Sequence, residues 1–357
     1  MQQYLLEEYD RVKDPDKRYK DYVWKTAIGL QQVDGLEPSD YLIKTAQSSI
    51  DGDISFSEAK ELINSYYESR QDRNNGRTEE ADKVSSRIAE ILSERSFVFS
   101  SEQYISIHRR LFEGIYRHAG RIRDYNITKE EWVLDGDTVT YGNAMDLRDM
   151  LNYDLKLEKE FSYKGLTADQ RIKHIARFVS NLWQIHAFGE GNTRTTAVFL
   201  IEYLRTLGYD VENNLFAENA WYFRNALVRA NYTNVQKDIY ETTEYLELFL
   251  RNLLLDETNV LKNRYLNINY ERNIDIHHKN VDIDNKNMNI DSLFNKNTVA
   301  NISKLKEEFK TRMFGRSDII DLLGIKPSTA SSLIRKMLET ELIIPVKGHG
   351  KGRYQFR

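Results

Sequence analysis

The sequence predicts an all-α protein that ends in a small helix-turn-helix unit with a β-hairpin, and three observations predict it. Only four of the 357 residues are proline, which breaks a hydrogen bond wherever it enters a helix interior. From about Ser39 to Leu255, apolar residues recur at three- and four-residue spacing with glycine or polar clusters between the runs. Beyond Asn301 the pattern shortens to helical runs followed by two β-prone pieces.

Local signals place the elements. Ser55-x-Ser57-Glu58 opens EAKELINSYY, Ser101-Glu102 opens QYISIHRRLFEGIY, and Glu218-Asn219 opens AWYFRNALVRA, each a capping pattern before an amphipathic run. Residues 126–141, NITKEEWVLDGDTVTY, hold Asp135-Gly136 between β-prone pieces and predict a hairpin flap. Residues 172–185, IKHIARFVSNLWQI, and 195–207, TTAVFLIEYLRTL, predict two core helices, the second stopping at Gly208. Residues 262–297 are rich in Asn and Asp and read as a linker that either stays open or packs on the core. The expected organisation is a helical region at 1–100, a core at 101–257, a linker at 258–297 and a small domain at 298–357. In that last domain a helix over SKLKEEFKTRM is followed by 317–323, a turn at Gly324, a helix from Pro327 to about Glu341, and the β-prone LIIPVKGHGKGRYQF. Helix-turn-helix plus hairpin spells a winged helix.

Composition narrows the classes of function. With 40% hydrophobic and 30% charged residues the chain is an ordinary globular protein. It has no cysteine, which excludes disulfides, thiol nucleophiles and thiolate metal sites and fits a reducing compartment. No apolar run approaches the ~18 residues of a membrane span, so a soluble, cytoplasmic protein is expected. The net charge of -4 hides an asymmetry, because residues 301–357 carry twelve Lys/Arg against six Asp/Glu. Arg335, Lys336, Lys347, Lys351 and Arg353 are candidates for contacts to DNA phosphates, or belong to a solvated basic face; both readings stand.

The chemistry concentrates in residues 186–194, HAFGEGNTR, between the two core helices. Amides at a helix start are unpaired and carry partial positive charge, and Gly189 and Gly191 let a loop wrap a phosphate there. Glu190 is a candidate ligand for Mg²⁺, which takes one or two carboxylates together with phosphate oxygens. Arg194 adds charge for phosphate, and His186, at a pKa near ~6.5, suits a general base. Such a set describes transfer from a nucleoside triphosphate to an alcohol. A zinc pair of His186 and Glu190 is disfavoured, since no HExxH or further ligand set accompanies it. The other histidines, His108, His118, His174, His277, His278 and His349, read as core or surface residues.

The same stretch resembles the signature of the Fic (Fido) family, H-x-F-x-[D/E]-G-N-[G/K]-R-x-x-R, at His186, Phe188, Glu190, Gly191, Asn192 and Arg194. Residues 107–127, IHRRLFEGIYRHAGRIRDYNI, resemble the segment preceding that family's flap, and the resemblance covers roughly residues 45–255. It implies a helical catalytic domain that transfers AMP from ATP, with Mg²⁺, to a hydroxyl of a protein. His186 would be the base, Glu190 the metal ligand, Asn192 and the Gly191 region the anion hole, Arg194 the clamp on the distal phosphates, and Phe188 an apolar anchor. Gly189 and Thr193 would complete the nucleotide loop. Lys129, Trp132, Val133 and Leu134 would align the target by adding a strand to the flap. Phe223, Arg224 and Asn231 lie where the family lines its adenine pocket.

Two positions depart from the family pattern. Thr193 replaces Gly or Lys, and Ala197 replaces the second arginine, removing a charge-assisted contact of about 1.5–3 kcal/mol. TAQSSIDGD resembles the family's inhibitory motif, with Asp51-Gly52 at the Glu-Gly place and Gln47 where Ser or Thr is usual. With both Asp51 and Ala197 altered, weak self-inhibition is expected. Competing readings are a nucleotide-sensing DNA-binding regulator and transfer of a different phosphate-containing group. A homo-oligomer is among the expected partners, a membrane is not.

Overall fold

The computed structural model describes residues 15–69, 76–270, 296–310, 312–339, 342–346 and 353–356, and these fall into two units, Met1–Glu271 and Arg272–Arg357. The first unit holds α1 (Pro15–Gly29), α2 (Asp40–Asp51), α3 (Phe56–Glu68), α4 (Gly76–Ser93), α5 (Ser101–Phe112), α6 (Leu147–Glu160), α7 (Ala168–Ile185), α8 (Asn192–Thr206), α9 (Leu215–Arg229) and α10 (Glu244–Leu254). Among the described residues none of these helices is long and apolar enough to cross a membrane.

The cap read from sequence forms at α3, whereas α5 is capped one residue before the expected Ser101. Ser55 and Glu58 form a reciprocal capping box at α3, and Ser100 caps α5. The run expected to start at Glu218-Asn219 begins earlier, at Leu215, and bends at Asn219, whose backbone leaves the helical region (φ -129°).

Helix α8 sits at the centre, with every residue from Asn192 to Leu204 buried. It packs against α5, α7 and α4, while α7 also meets α6 and α10. Helix α1 lies between α4 and α9, so the N-terminal region and the part carrying α8 share one apolar core, without the boundary expected near residue 100. Residues 258–270, expected as linker, also pack here: Leu266 is fully buried, and Leu261, Tyr265 and Ile268 lie against the core.

The hairpin expected at 126–141 does not form a strand pair. A 3₁₀ turn at Trp132–Leu134 leads into Asp135 and Gly136, both at positive φ, and the loop is closed by bonds from Glu131 N–H to Asp137 C=O (2.9 Å) and from Gly136 N–H to Glu131 C=O (3.0 Å). The reason is burial: Val133 and Leu134 are consecutive and both fully inside, which an alternating strand does not allow. Beneath the turn, Glu131 and Arg224 form an ion pair (2.7 Å) with both side chains buried.

In the second unit α11 (Lys296–Phe309) is followed by β1 (Phe314–Gly315), α12 (Arg316–Leu323), α13 (Pro327–Glu339), β2 (Ile343–Pro345) and β3 (Arg353–Phe356). Gly324 ends α12 in the left-handed conformation. The sheet order is β1-β3-β2, antiparallel throughout, with Phe314 opposite Tyr354 and Ile344 opposite Gln355. The short strand β1 adds to the two expected. This unit has its own core, with Leu305, Phe314, Ile319, Ala330, Met337 and Ile343 buried together.

One glycine sets how closely α1 approaches α9. A Cβ on Gly29 would stand 2.4 Å from the Cα of Ala217 and 2.5 Å from its carbonyl oxygen. Gly29→Ala gains about 0.5–1 kcal/mol of helix preference. The backbone clash outweighs it at about 1–3 kcal/mol. A urea titration is therefore expected to show a lower midpoint at an unchanged slope.

Candidate active site

Helix α7 stops because His186 turns left-handed (φ 50°, ψ 56°), its N–H donating to Trp183 C=O at 3.0 Å. A non-glycine residue there costs of order 1–3 kcal/mol and persists only when its surroundings hold it. Arg123 bonds to the backbone on and around it. Its Nε donates to His186 C=O (2.8 Å), Nη1 to Tyr125 C=O (2.6 Å) and Nη2 to Gly142 C=O (2.6 Å), and its own N–H donates to Ala187 C=O (2.9 Å).

The His186 ring is buried against Tyr141, at a centroid distance of 4.2 Å, and edge-on to Trp183 at 5.1 Å. Its Nδ1 lies 3.3 Å from Trp183 C=O. A carbonyl only accepts, so Nδ1 carries the proton and Nε2 is left as an acceptor. Burial, then the positive charges of Lys129, Arg224 and Arg123, pushes the imidazole down to about 3 against the pull of the Trp183 bond. The neutral ring is thereby maintained.

The rest of the loop is pinned from beneath. Phe188 is fully buried and stacks on His108 at 3.7 Å, while Asn192 clasps it from both sides, Oδ1 accepting from Phe188 N–H (2.9 Å) and Nδ2 donating to Phe188 C=O (2.7 Å). His108 accepts from Gly120 N–H through Nδ1 (2.9 Å), so its Nε2 donates to Glu190 C=O (3.0 Å). Burial pushes the His108 imidazole down to about 3, keeping that tautomer neutral. Gly191 is left-handed (φ 75°), and a Cβ on it would stand 2.4 Å from the Phe112 ring. At Gly189 a Cβ would stand 2.6 Å from the Tyr125 hydroxyl. No side chain caps α8, so its first amides have no side-chain acceptor.

The sequence-derived residues separate into those that meet at this loop and those that do not. His186, Gly189, Glu190 and Gly191 lie together, with the Glu190 side chain exposed to solvent. Among the described residues no group of three or more His, Asp or Glu side chains could hold a metal. A lone exposed carboxylate fits Mg²⁺ only where phosphate and water supply the other oxygens. The Asn192 side chain is spent on the loop backbone, and Thr193 accepts from Trp183 Nε1 (2.9 Å).

Arg194 is turned inward. Only 1% exposed, it lies over the Phe112 ring and meets Asp34 (2.9 Å), Glu80 (2.6 Å) and Gln31 (2.9 Å). Two carboxylates of the N-terminal helices thus neutralise the charge expected at the distal phosphates. Asp51 is on the surface, where it is bound by Lys17 and by Gln47 (2.8 Å), and Ala197 is fully buried.

Of the three residues expected at an adenine pocket, Phe223 and Arg224 are buried and Asn231 is half-buried. Phe223 is fully buried against Phe216 and Phe249, and Arg224 is taken by Glu131. Asn231 donates to Leu227 C=O (2.9 Å) and lines a cleft of about 560 Å³ with Lys173, Arg177 and Glu244.

At the expected target-binding flap, two backbone carbonyls already have partners. Val133 and Leu134 are inside, Ile268 N–H already donates to Val133 C=O (2.9 Å) and Asn267 to Trp132 C=O (3.0 Å), leaving the side chains of Lys129 and Trp132 exposed. In the second unit Arg335 and Lys336 are exposed on α13, Arg353 pairs with Asp318 (2.9 Å), and Lys347 and Lys351 lie outside the described residues. Sequence reasoning missed Arg123, Asp34 and Glu80 and set His108 aside as a core residue. Nothing in their spacing marks them, because their partners are backbone or distant in the chain.

Residues 98–204 match the Fic/DOC family. Protein adenylyltransferase VbhT of Bartonella schoenbuchensis is 26% identical over 114 residues, covering 32% of this chain and 23% of that protein, so the chain spans about a quarter of the length of this curated relative. A solved Fic family protein from Desulfovibrio desulfuricans G20 has 13% identity, covers 99% of this chain and 90% of its own, and gives a TM-score of 0.44. The N-terminal Fic domain of Bep8 from Bartonella sp. 1-1C has 17% identity over 52% and 88% of the two chains, with a TM-score of 0.40. The type IV secretion system effector BepA has 16% identity over 62% and 71%, with a TM-score of 0.39. The stretch that holds the His186 loop, residues 98–204, is a Fic/DOC family domain.

Proposed function

We propose that the chain is a Fic-type protein adenylyltransferase that moves AMP from ATP, with Mg²⁺, onto a Tyr, Ser or Thr hydroxyl of a protein, itself included. The observation that carries this reading is the fixed tautomer of His186, whose Nε2 acceptor stands one short loop away from the uncapped start of α8. The target oxygen attacks the α-phosphorus, its proton passes to His186 Nε2, and the bond to the leaving pyrophosphate breaks. The first amides of α8 and the Gly189–Gly191 turn receive phosphate oxygens. Glu190 would hold Mg²⁺, which offsets phosphate charge. Lys129 and Trp132 at the rim are left for the target. Arg194 takes no part while Asp34 and Glu80 hold it.

For the second unit we propose a winged helix, on the order helix, strand, helix, helix and two paired strands. The exposed Arg335 and Lys336, opposite buried Leu333, Ile334 and Met337, favour contact with DNA phosphates. A soluble, cytoplasmic enzyme fits both units.

Incubation with α-labelled ATP and Mg²⁺ is expected to label the chain and raise its intact mass by one AMP. His186→Ala should lower the rate by about 10²–10⁴-fold. Undiminished transfer by that variant, or a different added mass, overturns the reading.

The pH profile follows from the sign of the His186 shift. Its folded value lies below the unfolded ~6.5, so the neutral base persists as pH falls through that range. The kcat/KM profile should stay level between about pH 7 and pH 5.5, reporting the free enzyme. A fall centred near 6.5 would mean an exposed, ordinary imidazole.

For the second unit, Arg335→Glu with Lys336→Glu in the full chain should weaken DNA binding alike for all sequences. The salt slope should drop by about one per lost phosphate contact. An unchanged probe shift removes DNA from the reading.

A further inference from the structure

We infer that Arg123 is the positioning residue of this site: its buried guanidinium holds His186 in the left-handed conformation that presents Nε2 by drawing together carbonyl oxygens from three separate segments. This rests on the transfer reading above, in which His186 accepts the proton.

The first observation is where the strain sits. Five non-glycine residues among those described have positive φ, namely Asp135, His186, Asp238, Asp256 and Lys310. His186 alone of the five is buried. A buried residue in that region cannot rely on water to satisfy its peptide groups, so another part of the fold must supply donors.

The second is how completely Arg123 supplies them. Nε reaches the His186 carbonyl, and Nη2 reaches Gly142 C=O while lying 3.4 Å from Ile185 C=O. Nη1 returns to Tyr125, and the Arg123 N–H takes Ala187 C=O, so both ends of the His186 residue are tied to one side chain and its own backbone. No carboxylate pairs with Arg123 among the described residues. Its charge faces carbonyl dipoles, including the C-terminal carbonyls of α7, where a cation is favoured.

The third is the packing of the segment it grips. A Cβ on Gly142 would stand 3.0 Å from Ile185 C=O, and Gly142 N–H donates to Gln184 C=O (3.2 Å). The chain at 142 therefore presses against the end of α7, and the guanidinium closes the junction from the other side. Lysine does not replace this. A guanidinium spreads five donors in a planar fork, whereas an ammonium offers three from one point.

A merely structural arginine would change stability and leave the histidine alone, so the test reads the histidine directly. Full-length wild type, Arg123→Lys and Arg123→Ala are compared by ¹⁵N-histidine NMR, by kcat and nucleotide KM in the transfer assay, and with added guanidinium. The expected result for a folded variant is a changed His186 ring signal with His174 unmoved, and kcat lower by about 10²-fold, the scale of a ~1 Å misplacement. Nucleotide KM should stay within about threefold, since only the reacting group has moved. Guanidinium should return at least about tenfold of the rate lost in Arg123→Ala, because it refills the same donor positions. An unmoved His186 signal, an unchanged kcat, a KM that rises as kcat falls, or failure of both variants to fold each overturns the assignment. Should wild type transfer nothing, the transfer reading fails by itself, and the His186 signal still decides whether Arg123 sets the ring.

Discussion

A short loop joins two helices that are both buried, and nearly everything distinctive about the site follows from satisfying its backbone without water. Peptide groups left unpaired in a protein interior cost about 1–3 kcal/mol each. Here three side chains meet most of the demand. Arg123 takes the carbonyls at 185 and 186 and, through its backbone, 187; Asn192 takes both groups of Phe188; His108 takes the carbonyl of Glu190. What they leave open is the set of amides at the start of α8, where no side-chain cap intervenes.

The same reasoning accounts for Arg194. A guanidinium at 1% exposure cannot remain unpaired, and the N-terminal helices bring Asp34, Glu80 and Gln31 to it. Removing one partner would leave the buried guanidinium without compensation at a cost of several kcal/mol, so these contacts tie the N-terminal region to the first turn of α8. The absence of a boundary near residue 100 is the large-scale result. Arg224 with Glu131 repeats the pattern under the flap, and there too a cation expected at a ligand is consumed by the core.

The parts of the molecule legible in the sequence are those with local causes. Capping at Ser55, the buried run that forms α8, the stop at Gly324 and the glycines of the loop each depend on residues a few positions apart. Residues 186–194 also bring the histidine and the exposed carboxylate into one short loop. The illegible parts depend on distance. Arg123 lies 63 residues from the carbonyl it holds, and Glu80 lies 114 from Arg194. The flap misled for a different reason: Asp-Gly and β-prone neighbours favour a hairpin, but Val133 and Leu134 gain more from the core than an alternating strand would let both of them have.

A contrast in exposure explains how so rigid a loop can serve chemistry. His186, Phe188, Asn192 and Arg194 are buried, while Glu190 between them is exposed. The carboxylate projects from a backbone that His108 holds at its carbonyl. The imidazole faces the opposite constraint. It is kept neutral by burial and by Lys129, Arg224 and Arg123, the same positive field that favours a polyphosphate beside it. Bringing in that anion would offset part of the field and raise the basicity of Nε2. In the proposed transfer, His186 would then be a stronger base with nucleotide bound than with the site empty, a consequence of Coulomb attraction.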